Sequence, residues 1–236
     1  LDKRKQSTRP RKSSVRSRDL TRAKIIDAGL ELLDRDGGDA VTMRALADTL
    51  GVTPMALYNH VSSKDDLLRA IAAHVLDNTD FDGGKPDWRA QVGYCFRTFR
   101  AICLRHPGLS RLLKTADVAP ATVFAPMEVT LKALTSAGLS ELDSLRTYFT
   151  LVSFTLVQAS YQSRGPYPDL EPSERIRSAR LAGRGYEALE EIQMPLEWDF
   201  DAAFEFGLGL ILDGVEEALL RGTKPDVRAG HGNDGG

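Results

Sequence analysis

Apolar residues first recur at helical spacing over residues 20–36. Ile26, Leu30 and Leu33 share one face there, with Ile25, Gly29 and Leu32 beside them. The run Asp36-Gly37-Gly38 predicts the stop of this helix. Two short segments then open alike. Thr42 caps a helix ending near Leu50, and Val41 before it is placed to staple onto Leu46. Eleven residues on, Thr53 is the cap, Pro54 takes the first helical position, and Val52 is placed to meet Leu57. Gly51 between them suits the left-handed residue of a tight turn. Two short helices joined in this way form a helix-turn-helix. A fourth helix opens at Ser63, which pairs with Asp66 as in a capping box. It carries the rows Leu67, Ile71, Val75 and Leu68, Ala72, Leu76.

The run Phe81-Asp82-Gly83-Gly84-Lys85-Pro86 is the clearest boundary in the chain. Beyond it nothing alternates with period two for long enough to make a sheet. The spacing predicts helices near 87–105, 109–116, 120–137, 141–163, 173–192 and 198–221, with His106-Pro107 ending the first of them and a breaker-rich loop over Ser163–Asp169. The fold class is therefore all-α, a three-helix helix-turn-helix head followed by a larger helical domain. The expected divisions are a basic flexible arm at 1–18, the head with its linking helix at 19–80, the larger domain at 86–222 and a flexible tail at 223–236.

Composition sharpens this picture in two places. A 42% share of hydrophobic residues supports a real core, yet no stretch approaches an unbroken membrane span. The basic start has no apolar run behind it and does not read as a signal peptide. Cys95 and Cys103, both inside a helical pattern, fit small buried hydrophobes and a cytoplasmic protein better than a disulfide. The net charge of −2 conceals an asymmetry, since residues 1–22 hold nine Lys/Arg against two Asp, a net of +7. Residues 23–80 hold five basic and ten acidic side chains. A cationic arm on an acidic head points to an arm that seeks a polyanion. Arg9, Arg11, Arg16 and Arg18 are then candidates for an adjacent minor groove, although a solubilising tail has the same composition.

Leu20 through Leu76 resembles the N-terminal domain of the tetracycline-repressor family. The most specific pieces are TMRALADTLGV, the stretch ALYNHVSSKDDLL and the preceding amphipathic helix ending in glycine. The rest of the chain matches that family only in kind, being helical, aromatic-rich and carrying an LRHPGL corner. The resemblance implies a homodimer bound to a double-stranded DNA operator, with the larger domain serving ligand binding and dimerisation.

The second helix of the motif is expected to enter the major groove by its N-terminal residues, Thr53, Pro54, Met55 and Ala56. Three of these lack a side-chain donor and suit contact with thymine methyls. Arg44 is the candidate for bidentate reading of guanine, and it matches a base-contacting arginine of the family. Asn59 can reach a base or a phosphate. Tyr58, His60, Lys64 and Thr42 match positions that hold phosphates in the family, and all can donate to phosphate oxygens. Tyr58 and His60 equally suit packing against the first helix.

Aromatic residues with interleaved polar groups concentrate between 94 and 161. Phe96, Phe99, Arg100, Phe124, Met127, Phe154, Thr155, Gln158 and Tyr161 are the expected wall of a mostly apolar pocket, and each aromatic also fits ordinary core. The expected dimer face has Leu145, Phe149, Val152 and Leu156 on one helix. On the last helix it has Phe204, Leu208, Ile211 and Val215, with a small-residue strip of Gly207, Gly214 and Ala218. No nucleophile elbow, P-loop, dinucleotide fingerprint or metal-ligand cluster is present, so no enzyme, cofactor or metal is expected. The function expected is a repressor that a small, aromatic or antibiotic-like effector releases from its operator, the 63–80 helix acting as a lever. A ligand-independent or protein-regulated DNA binder, or an activator, is the alternative.

Overall fold

The computed structural model describes residues 20–113, 124–164 and 198–222. The expected arm with Arg9, Arg11, Arg16 and Arg18, the helix at 173–192 and the tail lie outside the described residues. All regular structure among the described residues is helical: α1 (Arg22–Asp36), α2 (Met43–Leu50), α3 (Pro54–Tyr58), α4 (Lys64–Asp77), α5 (Trp88–Arg105), α6 (Pro107–Leu112), α7 (Phe124–Ser136), α8 (Glu141–Arg164) and α9 (Phe200–Gly222). The described residues divide into two compact units, the first holding 20–78 with 111–113, the second 79–110 with 124–164 and 198–222. The division falls at 78/79, just before the breaker-rich run, and residues 111–113 join the first unit.

In the first unit α1 packs on α2 and α4, and α3 packs on α2. Three helices begin by one device. Thr21, Thr42 and Thr53 are extended residues whose hydroxyls accept from the N–H three residues on, at 3.3, 3.1 and 3.4 Å. An apolar residue precedes each cap and another lies four positions beyond the cap: Leu20 with Ile25, Val41 with Leu46, Val52 with Leu57. Five of these six are buried, and Val52 is half-buried. Such pairs set the angle at which the chain enters each helix. Gly51 ends α2 in the left-handed region (φ 68°, ψ 32°), which a Cβ disfavours, and so turns the chain into α3. Gly29 lets α1 approach α4, because a Cβ there would stand 2.8 Å from Ile71 Cδ1.

The second unit is built on α5, which packs against α7, α8 and α9, while α8 also packs on α7 and α9. Its core holds Phe96, Phe99, Tyr148 and Phe204, all fully buried. Phe96 meets Phe99 edge-on at 6.4 Å between centroids, and Phe99 reaches Phe81 at 6.5 Å. Pro107 does not simply end α5. It occupies the first position of α6, where its missing N–H costs nothing, so that helix starts two residues earlier than the spacing predicted.

Candidate nucleic-acid interface

The head presents one polar-and-apolar face around α3. Leu57 is fully buried and anchors the helix, while Met55 is 74% and Tyr58 50% exposed. Thr53, Pro54 and Asn59 are also exposed, and Ala56 and His60 are half-buried. On α2, the cap Thr42 and the guanidinium-bearing Arg44 are exposed. Lys64 opens α4 and is half-buried. Thr42 and Thr53 spend their hydroxyl oxygens as acceptors in the caps, and the hydroxyl protons stay available.

The turn between α3 and α4 is held by Asp66 together with Ser62 and Arg22, two residues that the sequence does not single out. Ser63 caps α4 as expected, accepting from Asp66 N–H at 3.1 Å. The Asp66 carboxylate does not complete a capping box with Ser63. It is one methylene shorter than a glutamate, and it takes the N–H of Ser62 at 2.8 Å and the Ser62 hydroxyl at 3.1 Å. Arg22 approaches its other oxygen at 3.4 Å. The Ser62 backbone bond, then the Ser62 hydroxyl and Arg22, hold this carboxyl below the ordinary aspartate range against the opposing effect of its burial.

The residues expected to bind an effector or a second copy distribute unevenly. Phe96 and Phe99 lie in the aromatic core of the second unit. Phe154 stacks on Phe204 at 5.4 Å with an interplanar angle of 18°, and Arg100 lies 4.7 Å from the Phe204 ring centroid. Arg100 also donates to Gln162 Oε1 and Asp201 Oδ1, each at 2.5 Å, and this bond holds the Asp201 carboxyl below its ordinary range. Thr155 is buried with its hydroxyl unpaired, and Arg100 Nε is likewise buried without a partner. Gln158 and Met127 are half-buried, Phe124 is 59% and Tyr161 39% exposed. None of these nine lines the cleft of about 550 Å³ that opens elsewhere in the second unit, whose lining includes Lys85, Asp87, Trp88, Glu128 and Lys132. Cys95 and Cys103 are buried, and burial pushes the Cys95 thiol up to about 12.

On α9 the expected dimer row turns inward. Phe204, Leu208 and Val215 are buried in their own subunit, and Gly207 admits the Phe154 ring, which would lie 2.5 Å from a Cβ there. Ile211 is half-buried, while Gly214 and Ala218 are exposed. The uncovered row is Phe206, Leu210 and Gly214, with Phe206 71% and Leu210 57% exposed. On α8, Phe149 is 56% and Val157 44% exposed, Leu145 and Val152 are half-buried, and Leu156 is buried. The spacing of 206, 210 and 214 carried the signal for this second row, but Phe204 and Leu208 carry the same signal.

Comparison with known proteins decides the family. The model for the bacterial regulatory proteins of the tetR family matches residues 25–71, and the tetracyclin repressor-like C-terminal domain matches residues 82–219. The chain belongs to the tetracycline-repressor family. This family member is 31% identical over 200 residues to the class A tetracycline repressor protein from transposon 1721 of Escherichia coli, covering 83% of this chain and 90% of that one. ActR of Streptomyces coelicolor, solved in complex with actinorhodin, superposes with a TM-score of 0.71 at 28% identity, over 85% of this chain and 98% of that one. BioQ with its natural double-stranded DNA operator superposes with a TM-score of 0.60 at 27% identity, over 83% and 98%. This tetracycline-repressor family chain is thus a DNA-binding transcriptional regulator, helical throughout its described regular structure. Among the described residues no helix is long and apolar enough to cross a membrane, and no three His, Cys, Asp or Glu cluster as a metal site.

Proposed function

We propose that this chain is a homodimeric repressor that a small aromatic effector releases from a near-palindromic operator. The observation that carries the DNA part is the face around α3. Met55 and Tyr58 stand out from a helix whose one buried residue is Leu57, with Arg44 exposed on the neighbouring helix. Apolar Met55, Pro54 and Ala56 suit thymine methyls, Arg44 suits a guanine edge, and Tyr58, His60, Lys64 and Thr42 suit phosphates. BioQ, solved on its operator, supports this reading. The exposed rows of α8 and α9 support the second copy, since contiguous apolar helix faces on a DNA-binding regulator suit an isologous contact. Two heads then meet two half-sites.

The effector part rests on Arg100, Phe154, Thr155 and Gln158. Thr155 Oγ1 and Arg100 Nε are donors without partners; Thr155 directly follows the stacked Phe154, and Arg100 lies over the Phe204 ring on which Phe154 stacks. A planar ligand with acceptor oxygens suits such a set, and the actinorhodin complex of ActR supports an aromatic class. Release requires the effector to bind the non-operator state more tightly than the operator-bound one.

The test is a selection of duplexes from a random pool with the full chain, followed by competition with a panel of polycyclic aromatic antibiotics. Enrichment of a palindrome and its release by one compound supports the whole reading. A palindrome that no compound disturbs rejects effector release and leaves a protein-regulated or ligand-independent DNA binder. Enrichment of no sequence rejects the DNA reading.

A further inference from the structure

A five-residue helix does not hold its own direction, because it is shorter than the length at which helices support themselves. Leu57 anchors α3 from beneath. Its C-terminal end is held by polar groups from two other helices. Arg22, the first residue of α1, donates through Nη1 to the His60 carbonyl at 2.5 Å and through Nη2 to Asp66 Oδ1 at 3.4 Å. Asp66, in the first turn of α4, accepts from Ser62 N–H and the Ser62 hydroxyl on its second oxygen. One guanidinium and one carboxylate therefore join the start of α1, the turn after α3 and the start of α4.

The chemistry suits that task. The His60 carbonyl lies just past the C-cap Asn59, at the end of α3 where partial negative charge favours a cation. A planar guanidinium reaches two acceptors at once, which a lysine ammonium on a flexible stem does poorly. Asp66 is not needed to cap α4, because Ser63 does that. Its carboxylate is free to organise the preceding turn.

We propose that Arg22 and Asp66 are positioning residues for DNA reading: they set the angle of α3, and through it the discrimination between sequences, without contacting DNA. The inference rests on α3 being the DNA-reading helix. The competing role for Arg22, half-exposed on a DNA-binding head, is a direct phosphate contact, and the two roles differ in sign at Asp66. If Arg22 binds phosphate, Asp66 restrains it, and Asp66→Asn tightens binding to any DNA. If the pair positions α3, loss of either partner weakens binding to the chosen sequence alone.

The experiment uses the full chain, a duplex it selects from a random pool and a scrambled duplex of equal length, with affinities measured across a salt series. Arg22→Gln and Asp66→Asn are each expected to weaken the selected duplex about 5- to 20-fold, leaving the scrambled duplex within about 2-fold. The double variant is expected to be no weaker than the single ones, as for two residues of one network. Arg22→Lys is expected to restore little. The isosteric Asp66→Asn keeps the test decisive if Arg22→Gln unfolds. Tighter binding by Asp66→Asn to both duplexes overturns the proposal. So does equal weakening of both by Arg22→Gln with the salt slope reduced by about one, the mark of a lost phosphate contact. Unchanged selectivity in both variants overturns the clasp and leaves the DNA reading standing. A wild-type chain that selects no sequence overturns the DNA reading itself, and the clasp with it.

Discussion

Two regions of this chain expose large apolar side chains, and the polar groups around them differ. Around α3 the exposed apolar residues are few and sit among donors: Met55 and Tyr58 beside Thr53, Asn59 and Arg44. On α8 and α9 they form rows along helices of 24 and 23 residues, Phe149 and Val157 on one, Phe206 and Leu210 on the other. A surface that must lie against phosphates and base edges needs hydrogen-bond donors between its methyl groups. A surface that must lie against another helix needs continuity of apolar area. The ion pairs of α9 respect this division. Arg97 grips Glu205 in a two-bonded fork at 2.8 and 2.6 Å, and Arg89 holds Glu216 at 3.3 Å, both using acidic side chains that flank the apolar row rather than interrupt it.

The sharpest way to break this comparison is at residues two apart on α9. Phe206→Glu is expected to abolish the proposed dimer, since two buried phenyl rings per pair are worth about 3–6 kcal/mol, or roughly a 10²- to 10⁴-fold loss of association. Sedimentation or light scattering checks this, and an unchanged dimer would place the second copy elsewhere. Phe204→Ala has the opposite profile. It empties the core and costs about 3–5 kcal/mol of subunit stability, read as a fall in denaturation midpoint. If both variants lower only stability, the two faces of α9 are not distinct.

On the head, Arg44→Ala is expected to cost about 1–3 kcal/mol of operator binding and to relax the preference at one base pair, which a selection with the variant would reveal. Lys64→Ala is expected to weaken all duplexes alike and lower the salt slope by about one. The smallest effect is in acid. Asp201 titrates below its ordinary value because of Arg100, so the pair stabilises the fold above the usual carboxylate range. That stability is lost as the pH falls through the depressed value. Asp201→Asn is expected to flatten the acid limb of a stability profile and leave the neutral region nearly level. An unaltered acid limb would show that Arg100 finds other acceptors.

How much was legible in the sequence follows the range of the interactions. Thr42, Thr53, Ser63 and Gly51 act on residues within a few positions, and their roles were read from neighbouring residues alone. Thr21 obeys the same rule behind Leu20, but the apolar rows already place the start of α1 there, so the cap adds no separate signal. The face of α9 was not decidable locally. Phe204-Leu208-Val215 and Phe206-Leu210-Gly214 are both helical rows, and only the packing of α5 and α8 tells which one the subunit keeps. Gly207 illustrates the limit: its lack of a side chain signalled a close approach, and the approaching group is the Phe154 ring of the same chain. Arg22 was invisible for the same reason, since its partners lie 38 and 44 residues away.

The two cysteines have a practical consequence. Both are buried, and the Cys95 thiol titrates near 12, so almost none of it is thiolate at neutral pH. To a maleimide or a spin-label reagent, the folded chain therefore offers almost no native target. A single cysteine placed at the exposed Glu31 on α1, away from the α3 face, could be labelled without first deleting Cys95 or Cys103, and the distance between two such labels in the proposed dimer would report head spacing directly, with and without DNA or effector.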